Sequence, residues 1–273
     1  MFYNDDVKIE VMIDFKEYKS NIRYFYDLVM VLTNKEIKVR YKNSVFGYLW
    51  SLANPLFFAL IYFTAFKTFM RVDIDNYTIF LICGLFPWQW MNNSINNNLF
   101  AFLGSAQIIK KTNFPRSVLP LSNILMEGFN FILSIPIIIV FLLFYNIKIN
   151  YGSIIFWTPL LMVSQIIISY GISLIFSSIN LFFRDIERFV QLGMMMLFYA
   201  TPILYAEHMV PEKYKWIIEY NPLAKITLCW RELFMTGNVN IEYFQSSIIY
   251  GFIFCILGFI IFNKLKYRFA EVL

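Results

Sequence analysis

Glu127 is the only acidic or basic residue that clearly interrupts a long apolar segment of this sequence. An ionisable group so placed serves either a substrate path or a structural pairing. The expected role of Glu127 is structural, pairing with Arg116 or Lys111 or reaching water; substrate handling is the alternative. No relay of further Asp, Glu or Arg residues accompanies it, as a proton-driven carrier would need. The single histidine, His208, stands apart from any metal-ligand cluster, so no metal site is expected. Cys83, Cys229 and Cys255 lie in apolar surroundings without CxxC spacing and read as small buried hydrophobes. The nearest approach to a phosphate loop, Ile109-Lys110-Lys111-Thr112, lacks the glycine before the lysine that lets the backbone wrap a phosphate. No catalytic residue or cofactor is therefore expected in this chain. Any work it does on a substrate must draw energy from a partner.

The elements that would position these residues follow from charge distribution. The 273 residues are 59% hydrophobic and only 15% charged, far from the balance of a water-soluble domain. Segments free of Asp, Glu, Lys and Arg run over 43–66, 76–109, 128–147, 149–183, 189–206 and 243–263. Each reaches the roughly 18 residues that cross a bilayer as a helix. The expected fold is an all-α integral membrane protein with six transmembrane helices, near 46–70, 78–102, 119–145, 154–179, 189–206 and 243–263. The acidic N-terminus has no apolar stretch, so no cleaved signal peptide is expected.

Sixteen of the 23 basic residues precede the first segment or fall in the 110–116, 184–188 and 264–268 turns. That bias places both termini in the cytoplasm, in a multi-pass protein of the cytoplasmic membrane. The same location argues against nucleic acid as the partner of a formal charge of +5. Residues 24–45 read as an amphipathic interfacial helix with a Lys35, Lys38, Lys42 stripe toward lipid headgroups, and Glu36 able to pair with Arg40. Residues 1–23 form an N-terminal cytoplasmic tail, and 46–273 a single transmembrane domain. The charged stretch 207–242, with Pro211 and Pro222, is expected outside, dipping back as re-entrant helices, one over about 223–234. Ser169, Ser173 and Ser177 recur at one-turn spacing, a small-residue face suited to close helix packing.

Several motifs then fall in one order. They are Lys35 to Pro55 with its Arg-Tyr and Gly…Leu-Trp…Pro, Gly84-Leu-Phe-Pro-Trp88, Lys110-Lys-Thr-Asn-Phe-Pro-Arg116, Asn180-Leu-Phe-Phe-Arg-Asp-Ile186, and Tyr220-Asn-Pro222. Together, from about residue 24 onward, they resemble the type-two ABC permeases of polysaccharide export. The resemblance implies a homodimer of this chain above two separate ABC ATPase subunits, which bind ATP and Mg. It also implies a lipid-linked polysaccharide as substrate, of O-antigen, capsular or teichoic-acid type. The closest competing readings are an ABC permease for a drug or small lipid and a polytopic membrane glycosyltransferase.

Within that reading, cytoplasmic elements must pass ATPase closure to the spans. The candidates are Lys110, Lys111, Phe114, Pro115 and Arg116 on a short helix stopped by Pro115, then Arg184 and Asp185, then Glu36 and Arg40. Ordinary positive-inside charge is the alternative for each. The 31 Phe, 18 Tyr and 6 Trp exceed what two interfacial belts absorb. Flat rings suit the C–H faces of sugars. Trp50, Phe57, Tyr62, Trp88, Trp90, Tyr199 and Tyr205 are candidates to line the substrate path, with lipid contact or packing as the alternative. Asn96, within the group Asn92, Asn93, Asn96, Asn97 and Asn98, would line its cytoplasmic half or join helices by hydrogen bonds.

Overall fold

The computed structural model describes the backbone of residues 5–42, 47 and 49–272, with side chains from residue 22 onward in those ranges except at 51, 52, 54 and 270. Every regular element among them is helical. The expected junction between interfacial helix and first span, at 45 and 46, lies outside the described residues.

Helix α1 runs from Asp5 to Tyr41, through the segments read as tail and interfacial helix. Val29 and Leu32 are buried on one side of it, while Lys35 and Lys38 are exposed. Helix α2 (Leu49–Tyr62) continues as a π-helical stretch, Phe63–Phe69. Lys67 in that stretch donates to the Val72 and Ile74 carbonyls at 3.4 and 3.0 Å, which would otherwise be exposed by the turn. Helix α3 (Tyr77–Asn98) leads through two short turns, α4 (Ala101–Gly104) and α5 (Ala106–Lys111), to α6 (Val118–Phe144). Helices α7 (Tyr151–Asn180) and α8 (Ile186–Ala200) follow. The last part comprises α9 (Lys215–Glu219), α10 (Pro222–Thr236), α11 (Ile241–Leu265) and α12 (Phe269–Val272). Among the described residues three helices are long and apolar enough to cross a membrane: Val118–Phe144, Tyr151–Asn180 and Ile241–Arg268.

Two boundaries differ from the sequence expectation. The fifth apolar segment stops being helical at Ala200 rather than 206. Thr201 precedes Pro202 and takes an extended conformation (φ −91°, ψ 133°), as the pyrrolidine ring requires of its predecessor. Helix α5 ends at Lys111, with Thr112 already extended, before Pro115 can stop it. By contrast, α10 covers the expected 223–234 helix. Asn221 caps it by accepting from Leu223 N and Ala224 N, and Gly237 closes it in the left-handed region.

Helices α7 and α11 pack along each other at glycines. A Cβ on Gly171 would come within 2.4 Å of the Phe254–Cys255 backbone, and one on Gly258 within 2.7 Å of the Gly171 carbonyl. The Ser169, Ser173 and Ser177 face is buried on the same helix, and Ser173 accepts from Asn98 of α3 at 3.0 Å. The main core joins α3, α6, α7 and α10. At its centre the Trp230 indole donates to Gln165 Oε1 (2.6 Å), and Gln165 Nε2 donates to the Pro87 carbonyl (2.9 Å). A second core gathers Val29, Phe102, Ile109, Leu181, Phe262 and Phe269. It therefore holds α1, the 101–118 segment, the end of α7 and the C-terminal turns together at one end of the molecule, where the basic turns lie.

Candidate functional site

Helix α3 is apolar and buried over most of its circumference, yet Gln89, Asn92, Asn93, Asn96 and Asn97 fall on one face at helical spacing. Opposite that face stand Phe58 and Tyr62 of α2 and Gln191, Met194, Phe198 and Tyr199 of α8. Between them lies a groove of about 460 Å³. Trp88 and Tyr62 frame it, their rings 5.8 and 5.4 Å from the Phe198 ring. Asn96 Nδ2 donates to Asn92 O and Oδ1, each at 2.9 Å. Its own Oδ1 is buried without a partner among the described residues. Amides left unpaired in hydrocarbon cost on the order of several kcal/mol each. Such a face suits water, protein or a hydroxyl-bearing ligand rather than lipid chains.

Behind α3, one carboxylate gathers three helices. Glu127 of α6 is 2% exposed and pairs with Arg40 of α1 at 2.5 Å. Asn97 of α3 and Asn130 of α6 donate to it at 2.7 and 3.2 Å, and Tyr41 donates to Asn130 Oδ1 at 2.6 Å. This corrects two expectations. Glu127 pairs with Arg40, not with Arg116 or Lys111, because α1 packs along α6 while the 110–116 segment turns away toward the C-terminal turns. Glu36 pairs with its neighbour Lys35 at 2.8 Å and leaves Arg40 to Glu127.

At the basic end, Lys110, Lys111 and Pro115 are exposed, as are Arg184 and Asp185, while Phe114 packs on the second core. Arg116 is already engaged. It donates to the Lys266 carbonyl at 2.6 Å and lies 5.8 Å over the Phe269 ring, fixing the loop to the C-terminal turns.

Of the aromatic candidates, Tyr62, Trp88 and Tyr199 join Asn96 in the groove. Trp50 and Trp90 line a second cavity beside Glu127 instead. Phe57 is exposed and borders neither space, and Tyr205 donates to the Tyr199 carbonyl at 2.9 Å from outside the groove. Gln89, Gln191 and Phe198 were not singled out from sequence. A helical-wheel count of polar residues in the charge-free segments would have found the two glutamines. At the opposite end, Arg231 of α10 is buried against Gly84, over the Phe80 ring at 3.8 Å, and donates to the Ile203 carbonyl at 3.1 Å.

Comparison with known proteins supports this architecture as one of a recognised kind. Residues 27–235 match the family described as ABC-2 type transporter. The chain is 60% identical to an O-antigen export system permease protein RfbA of Klebsiella pneumoniae, over 93% of this chain and 98% of that protein. It is 29% identical to a protein of the same name from Myxococcus xanthus, over 76% and 80% of the two chains. It is also 25% identical to the polysialic acid transport protein KpsM of Escherichia coli, over 78% and 83%.

Proposed function

The chain belongs to the ABC-2 type transporter family, and from that premise we propose that it is the membrane-spanning permease subunit of an ABC exporter for a lipid-linked polysaccharide. The observation that carries the reading is the groove of amides and rings between α2, α3 and α8, in a chain 60% identical along nearly its whole length to an O-antigen export permease. A glycan offers hydroxyls to Gln89, Asn92, Asn93 and Gln191 and C–H faces to Tyr62, Trp88 and Tyr199. No single contact there is strong, which suits a surface that a long polymer slides along.

The full arrangement is a homodimer with the groove turned inward, six spans per chain, both termini in the cytoplasm, and α9 and α10 on the external side. The spans are α2 with its π-helical extension, α3, α6, α7, α8 and α11. Two ATPase subunits bind ATP and Mg beneath the basic end, against Lys110, Lys111, Arg184 and Asp185. The chain itself does no chemistry on the polymer. Nucleotide-driven closure of the ATPases moves α1, and the Arg40–Glu127 pair carries that motion to α6 and, through Asn97, to the groove face of α3. A drug or small-lipid exporter would have little use for a groove face of Gln89, Asn92, Asn93 and Asn96 amides.

Deleting the gene and locating the polymer tests the reading. Lipid-linked polymer is expected to accumulate inside the cell, and restored surface polymer on complementation completes the result. Normal surface polymer in the deletion strain, with no second exporter present, overturns it.

A further inference from the structure

The cavity beside Glu127, about 310 Å³, is lined by the end of α1, the start of α2, α3 and α6. It adjoins the groove, since Gln89 and Asn93 line both. We propose that this side chamber binds one sugar unit of the translocated polymer and that its occupancy is transmitted to α1. The ligand identity rests on the export reading above; the chamber itself rests on its own geometry.

Size and chemistry select the ligand. The volume sits at the low end of the roughly 300–1,000 Å³ of small-molecule sites, room for one ring and not for a chain. Its walls combine the rings of Phe86, Trp90 and Phe131 with convergent amides and a carboxylate. Among the described residues the Gln89 and Asn93 amides make no hydrogen bond, so both present unused donors and acceptors. A ring bearing several hydroxyls uses both kinds; an aliphatic or purely aromatic ligand would leave them unpaired. A phosphate is disfavoured, because among the described residues Arg40 is the only cation lining the chamber and its charge is met by Glu127.

The wall is preorganised. Trp90 Nε1 donates to the Ile124 carbonyl at 3.1 Å, and the indole stacks on Phe131 with centroids 5.2 Å apart. It also lies against Gly128, where a Cβ would come within 2.9 Å of the ring. A ligand meets a fixed face and loses little affinity to ordering it. The mouth is different. Arg40 and Tyr41, the last residues of α1, both belong to the Glu127–Asn130 network and both line the chamber. A sugar hydroxyl donating to Glu127 shares the carboxylate with Arg40 and so shifts the end of α1. In this way the permease senses that a glycan has entered before the ATPases fire.

Ser134 allows a test that leaves the groove untouched. It lines only the chamber, and its Oγ donates to the Phe131 carbonyl at 2.6 Å. Ser134→Leu fills the chamber, whereas Ser134→Ala removes the same hydroxyl without adding bulk. The permease–ATPase complex, purified in detergent, is titrated with oligosaccharide released from the host's surface polymer by mild acid. Tryptophan emission and ATPase rate are recorded, and gel filtration confirms assembly of each variant. Saturable quenching and ATPase stimulation are expected in the parent and in Ser134→Ala. Ser134→Leu should bind at least about tenfold more weakly, a change of about 1.4 kcal/mol. Equal titrations in Ser134→Leu and the parent, or none in a parent that exports polymer in cells, overturn the chamber while leaving the export reading intact. A gene deletion with normal surface polymer defeats the export reading instead.

Discussion

Two arginine junctions hold the two ends of this molecule, and they are built on opposite principles. At the basic end, Arg40 meets a carboxylate: Glu127 accepts from Arg40, Asn97 and Asn130, and the arginine remains 35% exposed at a cavity mouth. At the other end, Arg231 is 6% exposed, and among the described residues no carboxylate lies within ion-pair distance of it. It is held by a ring face, one carbonyl and the space left by a glycine. The first junction reaches the cavity through its arginine, while its carboxylate is buried. The second is sealed, and its Nε is buried without a partner among the described residues. Its stability therefore comes from shape, whereas that of the first comes from charge.

Each junction can be broken in its own way, and unfolding of the purified protein by SDS titration reads the result. The largest loss is expected for Arg40→Ala, which strands the Glu127 carboxylate at 2% exposure. The arginine is 35% exposed and Asn97 and Asn130 still donate to the carboxylate, so the loss falls toward or below the low end of the about 3–5 kcal/mol of a fully buried pair left uncompensated. Coupling should fail with it: ATPase activity persists while export stops, measured by polymer at the cell surface. A smaller loss, about 1–3 kcal/mol, is expected for Gly84→Ala. Its Cβ would sit 2.6 Å from Arg231 Nη2, so the guanidinium must shift from its place over the Phe80 ring and at the Ile203 carbonyl. Arg231→Met should then be nearly neutral, within about 1 kcal/mol of the parent, because a well-packed apolar side chain replaces an unpaired buried cation. The two changes should also be non-additive, with Gly84→Ala costing less in the Arg231→Met background. Full additivity would show that the glycine serves something other than the arginine.

Much of the framework is legible in the sequence, because charge-free length and the flanking Lys and Arg obey bilayer physics that needs no tertiary contact. Each of the six apolar segments is helical over most of its described length, three of them in helices long and apolar enough to cross a membrane, and Glu127 and the Asn92–Asn98 group stand out as polar residues in apolar surroundings. Which cation meets Glu127 was not legible. Arg40, Arg116 and Lys111 all lie near the same end, and only the packing of α1 along α6 selects among them. The reason for Gly84 was hidden in the same way, since Arg231 lies 147 positions later on a helix whose docking face the local sequence does not specify. Aromatic side chains were the least legible. Trp88 and Trp90 are two residues apart, so they point about 200° apart on a helix: one frames the groove, the other the side chamber.

The central claim is that the face of α3 between α2 and α8 is the surface along which the glycan passes. Cys83, Cys229 and Cys255 are free thiols that can be replaced, leaving a single cysteine introduced by Asn92→Cys. Labelling that position in membranes with a small, charged, water-soluble thiol reagent tests the claim directly. The cysteine should react readily when polymer synthesis is blocked and be protected when lipid-linked polymer is supplied. A cysteine equally inert in both conditions, or equally reactive in both, would contradict it.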